Sequence, residues 1–109
     1  MGKVVVSPVK RWPGEVVLHD PLSLPMVAAL ERAISNARAL VDPTKGEIDA
    51  AMLPGVLACV ESVNLQGVPP ALGVDNFPGS PRKSSAELFA WLLREVTVIY
   101  SEETADPLE

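Results

Sequence analysis

Apolar positions recur along this chain with two periods, and the switches between them mark its elements. Val4-Val5-Val6 and Glu15-Val16-Val17-Leu18 are short β-branched runs of the kind that favour strands. Trp12-Pro13-Gly14 lies between them as a turn signal, proline presetting φ and glycine allowing a positive φ. The pattern predicts a β-hairpin over residues 3–18. Ser7-Pro8 makes its first strand an edge or a bulged strand. An isolated hairpin is marginal in water, so it must pack on something else.

The spacing then becomes helical. Val27, Leu30, Ile34, Ala37 and Val41 fall three or four residues apart, predicting an amphipathic helix over 24–41, with Ser23 as N-cap and Pro25 in the first turn. Asp42-Pro43 ends it. Ile48, Met52, Val56, Cys59, Val60 and Val63 repeat the pattern over 47–63. There Pro54-Gly55 predicts a break, because an interior proline loses a hydrogen bond and crowds the preceding turn. Residues 66–81 hold Gly67, Pro69-Pro70, Gly73, Asp75-Asn76 and Pro78-Gly79, which exclude a regular element. Val68, Leu72, Val74 and Phe77 are interleaved with them, so the segment reads as an ordered, packed loop of a length that often carries function.

A last helix is expected over 82–100, opened by Ser80-Pro81 or by the capping box Ser84-Ser85-Ala86-Glu87. Leu88, Trp91, Leu92, Val96 and Ile99 form its apolar side, and Phe89, Leu93 and Tyr100 widen it. A stripe this broad can face two neighbours, or support self-association. Residues 101–109 are acidic and aperiodic and are expected to be a flexible tail. The expected fold is α+β and mostly α: one domain over 1–100, with a short N-terminal β-hairpin packed on about three helices.

Composition narrows the function. The 109 residues are 48% hydrophobic and 21% charged, within the globular range. A formal charge of -5 repels phosphate, so nucleic acid is not an expected partner. No run approaches the roughly 20 apolar residues of a membrane span, nor does the N-terminus read as a signal peptide. Cys59 is the single cysteine, which excludes an internal disulfide framework. These features point to a soluble protein of the cytoplasm.

The candidate chemistry is sparse. His19 is the one histidine, and with Cys59 alone it cannot supply the three or four ligands of a zinc site. No nucleophile turn accompanies it. Gly79-Ser80-Pro81-Arg82-Lys83-Ser84 lacks the order of a phosphate loop and reads better as a helix cap with basic surface residues. Neither a catalytic site nor a cofactor is expected, and protein binding is the default. Trp12, Phe77, Trp91 and Tyr100 are the candidate partner-binding residues, because large aromatics anchor interfaces. For Trp91 a core position is the stronger expectation; Trp12 is divided between a lid over the helices and an exposed anchor.

Three patches in order carry a resemblance. They are Val9-Lys10-Arg11-Trp12-Pro13-Gly14-Glu15-Val16-Val17-Leu18 with Asp20-Pro21-Leu22-Ser23-Leu24-Pro25, then Leu53-Pro54-Gly55-Val56-Leu57-Ala58-Cys59-Val60-Glu61, and last Phe77-Pro78-Gly79-Ser80-Pro81-Arg82 leading into Ser85-Ala86-Glu87-Leu88-Phe89-Ala90-Trp91-Leu92. Over roughly residues 9–100 this texture resembles the small tail assembly chaperones of long-tailed bacteriophages and prophages. The resemblance implies a mostly helical protein of the infected bacterium's cytoplasm. It would coat the tape measure protein, keep it soluble, and help tail tube subunits assemble around it. It also implies a second, frameshifted form diverging near the acidic end. No contact residue is carried over from the family. The competing expectations are a structural tail or connector subunit kept in the virion and a small cytosolic regulatory adaptor.

Overall fold

A computed structural model describes residues 2–104. Strands β1 (Gly2–Val6) and β2 (Gly14–His19) precede helices α1 (Leu24–Arg38) and α2 (Lys45–Ala58), followed by strand β3 (Val60–Leu65) and helix α3 (Arg82–Thr104). The fold is α+β: one antiparallel sheet, ordered β1-β2-β3, accompanied by three helices.

Side-chain alternation decides which sheet face is covered. Val5, Val16 and Val63 pair across the three strands and are buried, as are Leu18 and Leu65. Val4, Val6, Glu15, Ser62 and Asn64 occupy the other face and are exposed. The expected hairpin is present, and β1 is an edge strand. Its connection spans residues 7–13, where Ser7 N donates to the Gly14 carbonyl and Trp12 N to the Val9 carbonyl. Gly14 opens β2 at φ +134, and a Cβ there would collide with the Asn64 carbonyl oxygen, so glycine is required.

Helix α1 stops at Arg38, three residues before the expected end, with Ala39 as C-cap. Asp42 adopts φ +46 ahead of Pro43, and the residue before a proline is kept out of the α region. Val41 therefore leaves the helical face and stands 89% exposed.

The expected broken helix over 47–63 is not what forms. Helix α2 begins at Lys45, runs unbroken through Pro54 and ends at Ala58; residues 60–65 are the strand β3. Two causes account for the difference. Gly55 is buried against α1, and this contact holds the helix together at the proline. The second is a β-bulge. Val17 pairs with Ser62 and Leu18 with Val60, so Glu61 is an extra residue in β3. It turns the two-residue alternation of a strand into the three-residue step from Val60 to Val63, which imitates a helix.

Leu88, Leu92, Val96 and Ile99 of α3 are buried with Val16 and Leu18 of the sheet, Val56 of α2 and Cys59 at the α2 C-cap, forming one core. Lys3 Nζ lies 3.9 Å from Glu95 Oε1, tying β1 to α3. Helix α3 also continues through Thr104, so Ser101–Thr104, expected in the tail, are helical. None of these four residues is a breaker, and glutamate is a good helix former. The rest of the expected tail, 105–109, lies outside the described residues. None of the helices among the described residues is long and apolar enough to cross a membrane.

Candidate protein-binding cleft

The N-terminal turns of α2 and α3 open side by side, and the 66–81 loop passes beside them. Thr44 caps α2: its Oγ1 accepts from Glu47 N at 3.2 Å, and its own N–H donates to Glu47 Oε1 at 3.0 Å. The Thr44 backbone N–H first, and the Thr44 hydroxyl after it, hold the Glu47 carboxyl below its ordinary range. Helix α3 starts at Arg82, and Ser85 N donates to the Pro81 carbonyl at 2.9 Å.

The loop is ordered chiefly by Asn76. Its Nδ2 donates to the Ala71 carbonyl at 2.9 Å, and its Oδ1 accepts from Gly73 N at 2.6 Å. This double tether fixes Phe77, the next residue, edge-on to Phe89 of α3 with ring centroids 6.4 Å apart and planes at 84°.

Between these parts lies a cleft of about 340 Å³. Leu53, Phe77 and Phe89 give it an apolar floor; Lys45, Asp49 and Arg82 stand around it. Lys45 Nζ pairs with Asp49 Oδ2 at 3.1 Å. Two cations and one anion leave the lining at +1 in a chain of formal charge -5. Such a site can take an apolar side chain and favours an acidic neighbour beside it.

Of the four aromatic candidates, only Phe77 lines this cleft. Trp12 is 5% exposed, in the core, with its indole beside Gly67. It is buried and not an exposed anchor, because the connection folds inward with Val9 also buried. Trp91 is 4% exposed on the core side of α3, so it too presents no surface to a partner. Tyr100 is half-buried, and its hydroxyl donates to Glu31 Oε2 at 3.0 Å, joining α3 to α1. The neighbouring carboxylate raises the Tyr100 phenol above its ordinary range, through the hydrogen bond first.

Leu53, Lys45, Arg82 and Phe89 are not among the binding candidates that the sequence offers. Phe89 was visible there only as an outlier widening the α3 stripe, and its offset from the core side is what carries it to the cleft. The remaining chemistry-bearing residues lie apart. His19 Nδ1 is 3.6 Å from Glu61 Oε1, beside the bulge. Cys59 is fully buried, its Sγ 3.5 Å from the Gly55 carbonyl oxygen, and burial pushes its thiol up to about 11. Among the described residues no three His, Cys, Asp or Glu side chains are grouped to hold a metal ion. No protein-family model, no curated protein and no solved structure matches the chain.

Proposed function

We propose that the chain is a non-catalytic, protein-binding tail assembly chaperone that engages the tape measure protein in the cytoplasm of an infected bacterium. The resemblance over residues 9–100 names the client. The observation that carries the binding mode is the cleft whose floor is Leu53, Phe77 and Phe89. An opening of this size admits one or two apolar side chains of a helical client segment. Burying one such side chain contributes about 1.5–3 kcal/mol, so a single contact is weak. Many copies along a long client would still hold it in solution while each copy remains displaceable by tube subunits.

Co-expression with the tape measure protein of the same genome, followed by pull-down and light scattering, tests this reading. A soluble complex with many copies of this chain per client is expected, and Phe77→Ala should weaken capture roughly tenfold or more by emptying the cleft floor. A client that precipitates regardless, beside a chain that forms a discrete ring alone, would overturn it in favour of a structural tail component.

A further inference from the structure

The outward side of α3 carries a second exposed face, which shares no lining residue with the cleft. It is built from α3 alone: Ala90, Leu93, Arg94, Thr97, Val98, Ser101 and Glu102. These residues form two adjacent rows of four-residue steps. Ala90, Arg94, Val98 and Glu102 make one, and Leu93, Thr97 and Ser101 make the other. The furrow between such rows is what a row from a second helix fills. Val98 is 41% exposed, an apolar side chain near the middle of the surface. Thr97 Oγ1 donates to the Leu93 carbonyl at 2.6 Å, so that hydroxyl needs no partner across an interface.

Charge placement identifies the occupant. Arg94 precedes Val98 by four residues and Glu102 follows it by four. Neither has an ion-pair partner among the described residues. A two-fold axis through Val98 sets two α3 helices antiparallel. Each Arg94 then meets the other copy's Glu102, and the two Val98 side chains meet on the axis. A parallel pairing would oppose Arg94 to Arg94 and Glu102 to Glu102.

We infer that this face of α3 is the contact of an antiparallel homodimer centred on Val98. The inference stands apart from the client cleft and holds whatever the client is. Ala90 to Glu102 spans only about 18 Å of helix, so the contact buries well under the roughly 800 Å² per partner of a standard interface. The dimer is accordingly weak, with a dissociation constant in the micromolar range.

Sedimentation equilibrium of the full chain over about 10–500 μM covers that range. The wild type should pass from monomer to dimer. Val98→Glu, Arg94→Glu and Glu102→Arg should each raise the dissociation constant about tenfold or more, by placing like charges together at the contact. The double variant R94E/E102R restores opposite signs at both ends, and should return the constant to within about threefold of wild type. Helical circular dichroism of each variant confirms that these exposed positions leave the fold intact. A wild type that stays monomeric throughout overturns the inference, including the case in which a client helix occupies the face instead. So does a dimer unmoved by V98E, or a charge swap that fails to rescue.

Discussion

Cys59 shows how burial acts on one side chain. Desolvation disfavours its thiolate, raising the thiol from 9.0 to about 11 in the folded chain. Between those values the unfolded state has released a proton that the native state keeps, so stability falls as pH rises through the window. Near pH 10.5 the loss is about 2 kcal/mol. Thermal melts at pH 8 and about 10.5 should show it, and Cys59→Ala should remove most of the difference; the raised Tyr100 phenol acts in the same direction and stays in the variant. An equal decline in C59A and wild type would place the sensitivity elsewhere. The burial of Cys59 was readable from its neighbours Val56, Leu57 and Val60. Its thiol shift was not, since that depends on the strand and helices that close around it.

Within α2, Gly55 competes between propensity and packing. Alanine is the better helix former by up to about 1 kcal/mol. A Cβ at this position, however, would lie 2.7 Å from Ala33 Cβ and 2.9 Å from Leu30 Cα, contacts that only a backbone shift relieves. Overpacking of that kind costs about 1–3 kcal/mol, so Gly55→Ala should lower the urea midpoint. A rise would mean that α1 and α2 separate more easily than their contact suggests. The 66–81 loop depends on Asn76 in a comparable way. Asn76→Ala removes both tethers and should speed proteolysis near residues 71–76 roughly tenfold or more, consistent with the loss of about 1 kcal/mol for each of two hydrogen bonds. The sequence revealed that this loop packs. It concealed the identity of β3, because the bulge at Glu61 gives a strand helical spacing, and it overstated Pro54, because the compensating contact with α1 lies some twenty residues away.

At the scale of the molecule, the α+β class, the hairpin and all three helical regions were readable from periodicity and turn chemistry. The cleft was not. Its walls come from the Lys45–Leu53 side of α2, the loop at Phe77 and the start of α3, and no pattern within one element shows that these parts converge. Phe77, one of the aromatics expected at an interface, lines it; Leu53 and Phe89 are hidden in the sequence among residues of ordinary helical spacing. Trp12 and Trp91 were drawn into the candidate set by size, and the core needed that size more than any surface did.

Strands β2 and β3 are neighbours in the sheet, yet α1 and α2 lie between them in the chain. On a translating ribosome, β1, β2 and the helical pair emerge before the strand and helix that cover them. The β1–β2 hairpin and the α1–α2 pair can form from local contacts, whereas β3 must close a long loop before it pairs. Until β3 and α3 emerge, Val5, Val16 and Leu18 present an apolar face without its covering partner. The nascent chain thus passes through an aggregation-prone interval of its own, which slower synthesis would prolong and prompt release of α3 would end.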